Sequence, residues 1–219
     1  MLDFEHLKAR NAFDQVTLAD GRNARLPGAY ANVRANSAPA RSDAPRLDQH
    51  GDEIRQEIRH QSRTRTKVVP TTTGSDRPFH GLKVLDLTWV IAGPVSVRYL
   101  ADHGATVIKV ESELRPDGLR RLGPLSDLEN FGWNSSHFYG DFNAGKQCIQ
   151  LNLKHESALA VLKRLIAWAD VFVMNWAPGA AERLGIGYES CREINPSLIM
   201  LATSLMGTDG PASSIGGYG

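Results

Sequence analysis

From Gly81 onward, short apolar runs alternate with amphipathic stretches, whereas apolar residues are sparse before it. KVLDL (83–87) suits a strand buried on both faces of a parallel sheet. Pro94 falls where the first turn of a helix tolerates proline, and that helix is expected to run to about His103. TVIKV (106–110) is rich in β-branched residues and reads as a second strand. After a long polar loop, CIQLNL (148–153) is a third. ESALAVLKRLIAWAD (156–170) places Leu159, Leu162, Ile166 and Ala169 on one helical face. VFVMN (171–175) and LIMLATS (198–204) read as further strands, separated by short helices around Glu182 and Ser190. The alternation predicts the α/β class, with a parallel sheet covered by helices on both faces.

The upstream region reads differently. Residues 16–34 suggest a short hairpin, with Val16 and Leu18 alternating and Asp20-Gly21 as the turn signal. Residues 35–47 carry Pro39 and Pro45 and little that builds a core. His50 to His60 reads as one short helix with Ile54 and Ile58 four apart on one face. The stretch that follows, punctuated by Pro70, Gly74 and Pro78, has the composition of a linker.

Charge and composition narrow the function classes. A formal net charge of +1 provides no global field toward nucleic acid or an anionic membrane. The basic run Arg59, Arg63, Arg65, Lys67 has no aromatic residues interleaved, so nucleic-acid binding is not expected. No apolar run approaches the ~20 residues of a membrane-spanning helix, and no membrane partner is expected. Cys148 and Cys191 stand far apart, which fits packed thiols in a reducing, cytoplasmic setting. The histidines are dispersed, with no HxxxH or HxH spacing, and no metal site is expected. GxGxxG after the first strand, GxxxxGK[ST] and GxSxG are all absent, which argues against NAD, a P-loop and a hydrolase elbow.

Ligands of open parallel sheets bind beyond the carboxyl ends of the strands, and three loops fall there. Trp89-Val90-Ile91-Ala92-Gly93-Pro94 follows the first strand and opens a helix, whose start attracts negative charge. Asn175-Trp176-Ala177-Pro178-Gly179, with Arg183 one turn on, offers groups that clamp an aromatic, phosphorylated ligand. Asn143-Ala144-Gly145-Lys146 leads into the third strand, with Lys154 just after it. Taken singly, each loop also has a plain structural reading: a strand ending, a Trp closing the core, lysines flanking a strand.

Together these stretches resemble a known family. GLKVLDLTWVIAGPVSVRYLADHGATVIKVE (81–111), NAGKQCIQLNLK (143–154), ADVFVMNWAPGAAERLGIGYE (169–189) and NPSLIMLATSLMGTDGP (195–211) look like successive blocks of the class III CoA-transferases. That group includes formyl-CoA transferase, carnitine CoA-transferase and α-methylacyl-CoA racemase. The resemblance implies a Rossmann-like large domain, here incomplete, whose substrate is coenzyme A or an acyl-CoA. It implies CoA contacts at Val90, Ile91 and Ala92, at Leu151 and Lys154, and at Asn175, Trp176 and Arg183. Lys154 and Arg183 would offset phosphate charge, and Trp176 would give the adenine a flat apolar face. One position departs: formyl-CoA transferase has an Arg where this chain has Ser112, which leaves two readings open, Arg115 as a substitute or a weaker phosphate grip.

The upstream piece is similar to the tail of the same family, through ARLPGAYANVR (24–34) and APRLDQHGDEIRQ (44–56). The expected organisation is therefore a tail at 1–58, a polar linker at 59–80 and the opening CoA-binding part of a transferase domain at 81–219. That order is expected at the junction of a tandem, two-copy member, which would form an interlocked homodimer or fused pseudo-dimer. The resemblance also implies the chemistry. An aspartate attacks the acyl-CoA thioester, and CoA then passes through an aspartyl-CoA to an acceptor carboxylic acid, splitting one hard transfer into easier steps. No aspartate here matches that nucleophile, so no catalytic residue is assigned and the isolated chain is expected to be inactive. Two alternatives stay open: a racemase, whose Gly-His-Asp place reads Gly217-Tyr218-Gly219, and a non-catalytic CoA-binding segment.

Overall fold

The computed structural model describes residues 3–18, 21–29, 46–60, 77–123 and 132–217. Of the expected linker at 59–80, residues 61–76, with Arg63, Arg65 and Lys67, lie outside the described residues, as do residues 35–45 with Pro39 and Pro45, and the Tyr218-Gly219 comparison; Arg59 falls in the helix that ends at His60. The chain divides into two compact units, Met1–Gly74 and Ser75–Gly219.

The first unit contains the predicted hairpin, but it begins earlier than the alternation of Val16 and Leu18 suggests. Strands β1 (Phe13–Thr17) and β2 (Asn23–Pro27) pair antiparallel, with Val16 opposite Ala24. Gly21 takes φ +82° in the connection, where a side chain would be strained. A short helix the sequence pattern did not predict, α1 (Glu5–Ala9), precedes the hairpin and buries His6. Helix α2 (Gly51–His60) is the predicted one, with Asp52 and Glu53 in its first turn. Ile54 and Ile58 share a face, and both are exposed.

The second unit is the predicted α/β sheet. Its strands are β3 (Lys83–Leu87), β4 (Thr106–Glu111), β5 (Gln147–Gln150), β6 (Val171–Met174) and β7 (Ile199–Ala202). All pair parallel, in the order β5-β4-β3-β6-β7. Chain order therefore reverses at β3, and the crevice between the carboxyl ends of β3 and β6 is the topological switch point where such sheets take ligands. Helix α3 (Ala92–Asp102) carries Pro94 in its first turn, as predicted. The polar loop holds more structure than expected: a 3-10 turn at Gly118–Arg121 and helix α4 (His137–Asn143), capped by Ser136. Helices α5 (Glu156–Trp168), α6 (Ala180–Arg183) and α7 (Tyr188–Ile194) complete the unit.

Alternation along the strands builds two apolar layers. Leu85, Leu87, Phe172 and Met174 pack with Leu162 and Ile166 of α5 and with Cys191 of α7. On the other face Val84, Val107 and Val173 pack with Val97 and Ala101 of α3. Strand β5 is shorter than the predicted 148–153. The Leu151 N–H still donates to Glu111 O at 2.8 Å, but Asn152 then turns the chain, its Oδ1 accepting from Lys154 N–H at 3.2 Å.

Candidate functional site

The α3-facing side of the sheet is apolar only in its first half. Continuing the alternation of Val84, Val107 and Val173 toward the carboxyl ends gives Asp86 and Thr88, Lys109 and Glu111, and Asn175. Asp86 and Lys109 are fully buried, and Glu111 is 7% exposed. Charges so placed must be paired, because stripping an ion of water costs several kcal/mol, roughly, when no partner compensates.

Each charge has its partner. Asp86 Oδ2 accepts from Lys146 Nζ at 2.8 Å, while its Oδ1 accepts from the Thr88 N–H at 2.8 Å and hydroxyl at 2.5 Å. Lys146 Nζ also donates to Pro94 O and Asn143 Oδ1, both at 3.0 Å, which ties α3 and α4 to the sheet. Burial pulls the Lys146 ammonium below its ordinary pKa, and the Asp86 carboxylate opposes that shift. Lys109 Nζ donates to Thr88 O at 2.6 Å and lies 3.2 Å from Asp117 Oδ2.

Glu111 anchors a second group. Its Oε2 accepts from Asp117 N–H at 3.0 Å and Arg120 Nε at 2.9 Å; its Oε1 accepts from Arg120 at 2.8 Å and from the Tyr139 hydroxyl at 2.5 Å. Burial alone would raise the Glu111 pKa, but hydrogen bonds from Arg120, Tyr139 and the Asp117 amide bring it down to about 2. Burial and the neighbouring Glu111 carboxylate raise both the Tyr139 hydroxyl and the Cys148 thiol, so Cys148 is not poised as a nucleophile. The Arg120 guanidinium lies 3.6 Å from the Tyr139 ring centre. A cleft of about 310 Å³ opens beside this group, lined in part by Ser112, Glu113, Trp133 and Gln150.

These pairs converge on the turn after β3. Trp89 N–H donates to Asn175 Oδ1 at 2.8 Å, and Asn175 Nδ2 donates back to Trp89 O at 2.8 Å. Val90 N–H donates to Asp117 Oδ1 at 3.0 Å. Val90 sits at φ +68°, a left-handed conformation that a β-branched residue adopts at a cost of about 1–3 kcal/mol. Gly93 completes the turn, because a Cβ there would lie 2.5 Å from Thr88 Cβ. The Ala-Gly-Pro spacing is thereby explained: α3 starts close enough to touch the strand only if its second residue has no side chain.

All eight residues named from the resemblance follow carboxyl ends of strands. Val90, Ile91 and Ala92 follow β3 at the switch point, with Ile91 and Ala92 exposed. Asn175 and Trp176 follow β6, and the exposed Arg183 ends α6. Leu151 follows β5 and packs against the core, and Lys154 is exposed two positions before α5. Trp176 also packs against the core, and its buried Nε1 has no hydrogen-bond partner among the described residues. Such a donor is left costly until an acceptor reaches it. The Arg115 guanidinium lies over the Trp89 ring, 5.2 Å from its centre, beside the turn.

Reasoning from sequence passed over Asp86, Lys109, Glu111 and Asp117. A signal for the first two was present: a lone Asp in KVLDL and a lone Lys in TVIKV, each inside a run that reads as buried. In the sequence Lys146 reads as a lysine flanking a strand; in the fold its side chain is a sequestered partner of Asp86, 1% exposed.

The model of CoA-transferase family III matches residues 79–219. Succinyl-CoA:glutarate CoA-transferase of Homo sapiens is 39% identical over 142 residues, covering 65% of this chain and 31% of that protein. The probable CoA-transferase Rv1866 of Mycobacterium tuberculosis is 32% identical over 225 residues, covering 100% of this chain and 26% of its own length. A crystal structure of a CAIB/BAIF family protein from Brucella suis superposes with a TM-score of 0.61 at 36% identity, covering 66% of this chain and 38% of that one. The chain thus spans about a third of the length of the curated relatives it matches.

Proposed function

The chain belongs to CoA-transferase family III, and from that premise we propose that residues 81–219 supply the CoA-facing loops of an enzyme moving CoA between an acyl-CoA and a carboxylic acid. One observation carries the reading: a strained, side-chain-anchored turn at Trp89–Val90 lies at the switch point, alongside Trp176 with its unpaired indole N–H. Val90, Ile91 and Ala92 offer backbone to the ligand. Trp176 offers a flat face for adenine, and Lys154, Arg183 and Arg115 offer charge for its phosphates. Asn175 serves chiefly by holding Trp89, since each of its amide atoms already has a backbone partner there.

The transfer itself is proposed to run through an aspartyl anhydride and an aspartyl-CoA. Asp86 and Asp117 are both paired in the buried network and hold the fold rather than attack a thioester. No catalytic residue is assigned within 81–219. The alignment with the Mycobacterium tuberculosis protein runs along the whole chain, which supports reading residues 1–58 as a family tail. An interlocked homodimer or fused pseudo-dimer belongs to the same proposal.

Calorimetric titration of CoA into a Trp176→Ala, Arg183→Ala double variant tests the site. The expected result is affinity weaker by on the order of 10-fold or more. Equal affinity in the variant and the unaltered chain would overturn the assignment. An acyl-transfer assay on the same samples is expected to show no turnover.

A further inference from the structure

A valine at φ +68° is an expensive way to make a turn. Glycine would adopt that conformation freely, and asparagine more readily than valine. The surroundings show what holds it. Three side chains from separate parts of the chain grip three consecutive residues: Lys109 on Thr88 O, Asn175 on both backbone groups of Trp89, and Asp117 on Val90 N–H.

Asp117 has no freedom to release its grip. It is fully buried, and its Oδ1 also accepts from Leu119 N–H at 3.0 Å. Its Oδ2 faces Lys109 Nζ at 3.2 Å, and its own N–H donates to Glu111 Oε2. Glu111 is in turn held by Arg120 and Tyr139. The carboxylate thus meets the Leu119 N–H and the Lys109 ammonium, and Glu111 holds its backbone, while it accepts the N–H of the strained residue.

We propose that Asp117, buttressed by Lys109 and Glu111, is a positioning residue that keeps Val90 left-handed, so that Val90, Ile91 and Ala92 are presented to CoA before it binds. This rests on the CoA reading of the site. The side chain acts through the turn and does not itself touch the ligand. Left to itself, Val90 would return to negative φ and carry the start of α3 out of register, and CoA binding would have to restore the turn at the expense of affinity.

The test compares two double variants, each free of an unpaired buried charge. Asp117→Asn with Lys109→Met keeps an acceptor for Val90 N–H; Asp117→Ala with Lys109→Met removes it. Each is made with and without Val90→Gly, and CoA is titrated while backbone amides are followed by NMR. The Ala variant is expected to bind CoA about 10-fold more weakly than the Asn variant and to exchange the Val90 amide faster. Adding Val90→Gly should restore most of that loss, which a merely structural defect would not allow. Equal affinities, or a loss that Val90→Gly leaves in place, would overturn the proposal if Trp176→Ala still weakens binding. Affinity that ignores Trp176 and Arg183 as well would remove the CoA reading, and this inference with it.

Discussion

Around Thr88, Trp89 and Val90 the backbone is gripped by side chains from three other places in the chain, whereas Lys154 and Arg183 stand exposed with no ion pair among the described residues. Both regions belong to the same candidate site. The first is rigid and carries its cost in the folded state, as a left-handed valine and a row of buried charges. The second costs the fold little and contributes long, solvated cations whose attraction for phosphate is screened by salt. The division has a physical logic. Backbone groups serve a ligand only if they are aimed beforehand, while a flexible ammonium or guanidinium finds its phosphate after contact.

If that contrast is right, damage beneath the gripped turn should be large and pH-linked. Glu111→Gln leaves Arg120 facing a neutral amide in a site where both groups are largely buried, with a cost expected at about 3–5 kcal/mol. The carboxyl is ordinarily at 4.5 and is held at about 2 in the folded chain. Its contribution is therefore complete above pH 4.5 and is lost as pH falls from there toward 2. From the shift this amounts to roughly 3 kcal/mol. Denaturant melts of the unaltered chain should show this acid-side loss, and the Gln variant should show a flatter profile. Parallel profiles would mean that Glu111 is not the group being titrated.

A smaller effect is expected at the start of α3. Gly93→Ala brings a methyl group to 2.5 Å from Thr88 Cβ, and the helix must shift outward. Overpacking of this kind costs about 1–3 kcal/mol. The melting midpoint should fall, and the Trp89 and Val90 amides should lose protection from exchange. Unchanged protection would show that the turn does not depend on how closely α3 approaches.

Much of the sheet was legible because its strands are short apolar runs with punctuation between them. Pro94 marked its helix, and the amphipathic period over 156–170 marked α5. The region between β4 and β5 was not legible as structure. Helix α4 has only seven residues and includes Gly140, so it shows little periodicity, although Ser136 was a cap signal in plain view. The candidate loops could be named, but the device that shapes one of them could not. The Asp117 and Val90 positions are 27 residues apart, and no local pattern announces that one accepts the other's N–H. A positive φ at a valine is similarly invisible, because intrinsic preference points the other way. Asp86 and Lys109 lie between these cases: a charge within a buried strand announces that it needs a partner without saying which.

The central claim is that CoA binds across the carboxyl ends of β3, β5 and β6. A titration of the 15N-labelled chain with CoA, followed residue by residue, tests it directly. The account predicts that shifts cluster at residues 89–92, 151–154 and 175–183. Shifts confined to the amino-terminal ends of the strands, around Lys83, Thr106 and Val171, would contradict it, as would none at millimolar CoA.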